Sequence, residues 1–290
     1  MRFLSLLLVG ISVWAAEPSA RLDNFLERAF AKNEFTPKTP APPHWSEDGK
    51  YTSVENDEVV QIDARSGSTN TLLSRADLTP AGSKDPLKIT SHEWSKGRRK
   101  LLIYTNAKKV WRQNTRGDYW LFDVSSRKLR KLGGDAAPST LMFAKFSPDE
   151  SKVAYVRAND LYCEDLSSGK ITRLTHDGSP VSINGTSDWV YEEELNLRDG
   201  FRWSPDSKHI AFWHFDATGV GDFVLVNQTD SLYPAATHIP YPKVGTSNSA
   251  VKVGVISAAG GDPVWLDVPG DPRQHYIALV EWADKPQEVV

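Results

Sequence analysis

Five times along this chain an aromatic or polar-flanked turn recurs in the same form: Trp45-Ser46-Glu47-Asp48-Gly49, Trp94-Ser95-Lys96-Gly97, Phe146-Ser147-Pro148-Asp149, Trp203-Ser204-Pro205-Asp206 and Trp282-Ala283-Asp284-Lys285. The starts lie about fifty residues apart, widening to nearly eighty across the last gap. Proline at the second turn position fixes φ near the type I value, and Asp, Ser and Gly suit the flanks. Each turn leads into a run with strand character, such as Lys152-Val153-Ala154-Tyr155-Val156 or His209-Ile210-Ala211-Phe212-Trp213. Second strands follow, such as Asp118-Tyr119-Trp120-Leu121-Phe122-Asp123 and Asp160-Leu161-Tyr162-Cys163-Glu164, then a Ser or Gly turn and a run such as Lys170-Ile171-Thr172-Arg173-Leu174-Thr175. Several short strands per unit at this period predict an all-β chain, a β-propeller of four-stranded blades. A β-sandwich is the rival, and it gives no reason for the same aromatic turn to recur. The expectation is a partial propeller, about four to five blades of a larger ring, spanning 44–290.

The residues before the repeat read differently. MRFLSLLLVGISVWAAE has a basic n-region at Arg2, an apolar core from Phe3 to Val13, and small residues at the positions a signal peptidase reads. This predicts a signal peptide over 1–16 with cleavage near Ala15 or Ala16, because a membrane anchor needs about 20 apolar residues. Export to the periplasm or outside the cell follows, with no membrane segment after cleavage. Residues 17–43 form a lead-in. Leu22, Phe25, Leu26, Ala29 and Phe30 fall on one helical stripe, and a Pro-rich stretch from Thr36 to Pro43 then breaks any helix.

A net charge of -3 gives no footprint for nucleic acid. Cys163 is the one cysteine, so no intrachain disulfide is available, and its strand-like setting suits a small buried side chain. His209 and His214 sit five apart on one strand and face opposite ways, so they cannot share a metal. His92-Glu93 lacks the second histidine of a zinc helix, and Gly219-Val220-Gly221 lacks a third glycine at dinucleotide-loop spacing. No cofactor or metal is expected. Asn184-Gly185-Thr186 and Asn227-Gln228-Thr229 are glycosylation sequons. Two stretches break the repeat: 179–200, which carries Glu192, Glu193 and Glu194, and the insertion between Asp216 and Val251. Departures from a repeat tend to gather on one face and carry function.

Several segments resemble the dipeptidyl peptidase IV branch of the prolyl oligopeptidase family. They are Asp188-Trp189-Val190-Tyr191-Glu192-Glu193-Glu194 followed by Trp203-Ser204-Pro205; Asp230-Ser231-Leu232-Tyr233-Pro234 continuing to Ile239-Pro240-Tyr241-Pro242-Lys243-Val244-Gly245-Thr246-Ser247-Asn248; and Trp111-Arg112 ahead of Asp118-Tyr119. The likeness runs in the same order through nearly all of the chain after the signal segment. In that family an eight-bladed propeller caps an α/β-hydrolase domain. The resemblance implies that Glu193 and Glu194 bind the free amine of a peptide substrate and that Arg112 contacts a substrate carbonyl. The run alone would read as a solvated acidic patch.

The chemistry suits the assignment. A peptide N-terminus has a pKa near 8 and is mostly cationic at neutral pH. Carboxylates accept charge-assisted hydrogen bonds from its donors. Adjacent strand residues point to opposite faces, so two neighbouring glutamates reach one ammonium only where the backbone leaves strand geometry.

A nucleophile elbow, Gly-x-Ser-x-Gly, does not occur in these 290 residues, and Gly245-Thr246-Ser247-Asn248-Ser249 comes nearest. No catalytic residue is therefore assigned, and this chain by itself is expected to bind peptide N-termini without hydrolysing them. An α/β-hydrolase domain would be the missing partner. The alternative function is a non-catalytic propeller scaffold for protein–protein contacts in the periplasm. An unclosed set of blades would expose an apolar face, so self-association, with a homodimer as one form, is also expected.

Overall fold

The computed structural model describes residues 19–37, 43–284 and 288–290. The predicted signal segment and most of the Pro-rich lead-in lie outside the described residues. The chain divides into two compact units, Met1–Pro43 and His44–Val290. In the first, α1 (Ala20–Leu26) starts at Ser19, whose hydroxyl accepts from the Leu22 backbone at 3.2 Å. It widens into a π-helical turn, Glu27–Ala31. Phe25 stacks on Phe35 with ring centres 5.7 Å apart, and Arg28 pairs with Glu34 at 2.6 Å. Among the described residues no helix is long and apolar enough to cross a membrane.

The second unit is built of antiparallel four-stranded sheets in series. The first blade is β1 (His44–Trp45), β2 (Lys50–Glu55), β3 (Glu58–Asp63) and β4 (Thr69–Leu73). The second is β5 (Ile89–Trp94), β6 (Lys100–Val110), β7 (Gln113–Asp123) and β8 (Lys128–Lys131). The third is β9 (Leu141–Phe146), β10 (Lys152–Arg157), β11 (Asp160–Asp165) and β12 (Ile171–Arg173). β13 (Ser182–Asn184) and α2 (Trp189–Leu195) come next. The fourth blade is β14 (Phe201–Trp203), β15 (His209–Asp216), β18 (Ala250–Ser257) and β19 (Val264–Trp265), with β13 added beside β15. The insertion forms a separate hairpin, β16 (Asp222–Asn227) and β17 (Ala235–Pro240).

Strand alternation explains the stacking of these sheets. On β10, Val153 and Tyr155 pack with Leu102 and Leu121 of the second blade, while Ala154 and Val156 pack with Ile210 and Phe212 of the fourth. On β15, Ala211, Trp213 and Phe215 turn the other way into a further cluster with Val251 and Val253. Between the first and second blades, Val59 and Leu73 meet Leu101, Ile103 and Phe122. The second and third blades thus bury both faces against neighbouring blades, as a partial propeller requires.

Three of the five recurring aromatic turns share one chemistry. The Ser46, Ser147 and Ser204 hydroxyls each donate to an aspartate two residues on, at 2.6 Å in all three, and Ser147 and Ser204 also accept from the backbone of the strand that follows. A second turn repeats on the other side of the strands. Asp63, Asp123 and Asp165 accept from the backbones of Ser66, Ser126 and Ser168 at 2.8–2.9 Å.

The fifth signature, at Trp282, forms a single bridge among the described residues, Trp282↔Val289. Ile277, Val280, Trp282 and Val289 lie against the outer face of the fourth blade. The Trp213 indole donates to the Ile277 carbonyl at 2.8 Å, and the Trp282 indole to that of Arg202 at 3.0 Å. The apolar face expected to be bare is therefore partly covered. Val264, Trp265 and Leu266 remain exposed at its edge.

The second and third blades join edge to edge at one point, where Gly117 pairs with Leu141. A Cβ on Gly117 would land in the Tyr104 ring and within 2.7 Å of the Thr105 carbonyl oxygen. Gly117→Ala is expected to cost about 1–3 kcal/mol, the usual scale of overpacking. Urea unfolding should show a lower midpoint at unchanged slope.

Candidate functional site

The acidic run lies on a helix. Asp188 caps α2 in an extended conformation, its carboxylate accepting from the Tyr191 backbone at 3.0 Å. Asn196 ends the helix in the left-handed region at φ 50°, which asparagine tolerates better than most residues. Tyr191 anchors the inner side. It is buried, meets the Phe215 ring edge-on at 4.6 Å, and its hydroxyl accepts from the Ile277 backbone at 2.8 Å.

Successive helix residues are turned by about 100°, so the three glutamates face three environments. Glu192 points inward and lies 3.2 Å from Arg198 Nε, both side chains being buried. Burial pushes the Glu192 carboxyl up and Arg198 opposes it. Burial also lowers the Arg198 guanidinium to about 10, against the pull of Glu192, so it stays charged at neutral pH. Glu193 pairs with Arg112 through Nε. Glu194 is exposed and borders a cavity of about 660 Å³ with Trp189, Phe223, Tyr241 and Tyr276. The Trp189 and Tyr241 rings lie 4.2 Å apart, and Phe223 lies 5.5 Å from Tyr241.

Arg112 comes from the second blade. β6 and β7 are eleven residues each, against three to eight elsewhere in the second and third blades and β14–β15, and they close through Trp111 and Arg112 after the pair Val110↔Gln113. Trp111 holds φ 52°, a conformation that costs a bulky residue about 1–3 kcal/mol unless its surroundings enforce it. The Arg198 guanidinium lies over the Trp111 ring at 4.4 Å.

The structure therefore brings Arg112 and Glu193 into contact, with Glu194 beside them on the helix and turned toward the cavity. The strand geometry that would have separated the glutamates is absent, replaced by a helical turn. With Glu193 held through Nε, the other N–H groups of Arg112, which is 75% exposed, are available to an acceptor such as a carbonyl. Among the described residues, Glu194 presents an unpaired carboxylate to the cavity, beside the Glu193 carboxylate that Arg112 holds.

Arg198 and the aromatic wall of Phe223 and Tyr241 were not legible as site residues. A buried Glu192 demands a counter-charge, and Arg198, six residues on, was the signal that could have supplied it. The Asn184 sequon is occluded: its side chain is buried and donates to Asp177 at 2.8 Å. His214 is hydrogen-bonded to Asn184 at 2.9 Å. Cys163 is buried in the core between the third and fourth blades, where burial pushes its thiol up to about 12.

The chain is similar to several known proteins. Dipeptidyl aminopeptidase B of Saccharomyces cerevisiae is 32% identical over 238 residues, which cover 80% of this chain and 28% of that protein. Dipeptidyl peptidase 4 of Arthroderma otae is 30% identical over 296 residues, covering 96% of this chain and 37% of that one. The chain thus spans about a third of the length of these relatives. The crystal structure of dipeptidyl peptidase 4 from Porphyromonas gingivalis matches with a TM-score of 0.80 at 26% identity, over 90% of this chain and 37% of that one. The family model for the dipeptidyl peptidase IV (DPP IV) N-terminal region matches residues 95–290, more than half of the chain and the whole of the part that carries Arg112, α2 and the hairpin insertion; the chain belongs to that family.

Proposed function

We propose that this chain is the substrate-recognition propeller of an exported dipeptidyl-peptidase-IV-like serine peptidase, and that it binds the free N-terminus of peptides. Glu193 and Glu194 receive the ammonium, and the free N–H groups of Arg112 receive a backbone carbonyl. One observation carries the reading: an arginine from the second blade reaches a glutamate on α2 while the neighbouring glutamate stays open to a cavity. A fixed amine anchor also measures length. Two extended residues span roughly 7 Å, so a nucleophile at that distance would cleave after the second residue. The nucleophile would come from an α/β-hydrolase domain, since these residues hold no elbow motif. Export through the N-terminal segment belongs to the same proposal.

The test is calorimetric titration of the chain with alanyl-proline amide and with its N-acetylated form. The free amine should bind at least tenfold more tightly, the usual weight of a charge-assisted contact. It should also weaken as pH rises through 8, where the amine loses its proton. Equal affinity for both ligands would remove the reading. No hydrolysis of either is expected.

A further inference from the structure

The turn that carries Arg112 is poorly held by its own hairpin. The β6–β7 register slips twice near its end, between Thr105 and Lys108 and again between Lys108 and Val110. Arg112 itself is mostly exposed, so packing does not fix its direction. Trp111 beside it sits in the left-handed region, where an aromatic residue stays only if its surroundings hold it. Something outside the hairpin must set the turn.

Arg198 makes the contacts that could do so. It is 8% exposed and has three attachments. Nη1 donates to the Ser187 carbonyl at 2.5 Å, in the segment leading into α2. Nε lies 3.2 Å from Glu192 on α2 itself. The guanidinium carbon lies over the Trp111 ring, 4.4 Å from its centre. A second cavity, of about 460 Å³, lies alongside, lined in part by Trp111, Asp188, Trp189 and Arg198. Without the guanidinium the Trp111 ring has space to swing into. Lysine cannot replace this arrangement, because a compact ammonium at the end of a flexible stem cannot meet the Ser187 carbonyl, Glu192 and the Trp111 ring at once.

We propose that Arg198 is a positioning residue: it locks the Trp111-Arg112 turn onto α2 and thereby sets where Arg112 meets Glu193 and the substrate carbonyl. The link to substrate rests on the function proposed above, whereas the clamp itself does not.

Removing Arg198 alone would strand a buried Glu192, so the informative variant is the matched pair Arg198→Met with Glu192→Gln, which leaves no unpaired charge. Arg198→Lys is the companion that keeps charge without the plane. Two measurements decide the matter. In hydrogen exchange, amides of residues 110–113 should exchange about tenfold faster in the matched variant and in Arg198→Lys, while β15 amides keep their parent rates. Unchanged exchange at the turn overturns the clamp. In the second, binding of alanyl-proline amide is measured across a cycle with Arg112→Ala. That substitution should weaken binding about tenfold in the parent chain and less than twofold in the matched background, because Arg198 acts through Arg112. Effects that multiply independently overturn the positioning role. If Arg112→Ala changes nothing in the parent, the substrate reading falls, and hydrogen exchange still decides the clamp.

Discussion

Glu194→Gln is expected to weaken binding of a free-amine dipeptide by about ten- to a hundredfold, the worth of one hydrogen bond to a charged group. Its effect on stability should be within about 0.5 kcal/mol, because the side chain is exposed and makes no ion pair among the described residues. Glu193→Gln should weaken binding at least as much, for a further reason. Glu193 also holds Arg112, so its loss removes one amine acceptor and frees the group assigned to the carbonyl. The two glutamates therefore separate in an N-acetylated ligand. Glu194→Gln should leave its weak binding unchanged, while Glu193→Gln should reduce it. Calorimetry with both ligands, alongside circular dichroism to verify folding, provides the check. A Glu194→Gln chain that binds the free amine like its parent would show that the open carboxylate is a solvated surface group.

Acid should destabilise the first two blades through His92. This side chain is 5% exposed and lies 4.2 Å from the His44 ring, centre to centre. Thr52 Oγ1 accepts from the Trp94 indole at 3.0 Å and shares a hydrogen bond of 3.1 Å with His92 Nε2. Burial, then the His44 and Arg98 charges, lower its pKa to about 4. An unfolded chain binds that proton near pH 6.5, so between 6.5 and 4 the unfolded state holds more protons than the folded one. Stability is thus complete above pH 6.5 and falls as the pH drops toward 4. The loss from His92 comes to about 3 kcal/mol at the bottom of that window. His44 is lowered in the same direction, by its own burial and by Arg98, and adds to it. Urea unfolding between pH 7.5 and 4.5 should show a much steeper loss in the parent than in His92→Gln. Parallel curves would mean that His92 titrates normally in the folded chain.

Sequence carried the blades well because each rests on local chemistry. Ser147 bonds to Asp149 and Ser204 to Asp206 within a single turn, so the repeat of those residues is the repeat of the structure. The Trp282 turn looked equivalent, yet its contacts are made at long range: its indole donates to the Arg202 carbonyl and the ring covers the fourth blade. The site was legible by halves. Glu193, Glu194 and Arg112 stood out through their neighbours in the chain, and Arg112 does meet Glu193. That they would do so on a helix was not read, although an N-cap residue at Asp188 and the helix formers Glu192 to Leu195 were there to see. The pairing of Arg198 with Glu192 left a faint local signal, whereas its contact with Trp111, a residue of another blade, left none.

The contact between Arg112 and Glu193 spans the third blade, since one residue comes from the blade before it and the other from the entrance to the blade after it. Blades of a propeller touch only their neighbours, so a shift at each blade junction accumulates around the arc. A peptide seated on both sides of this contact would act as a strut across two junctions at once. Its affinity would then gauge how far the second and fourth blades stand apart, and any strain applied at the rim of the propeller would be felt at the peptide's first residue.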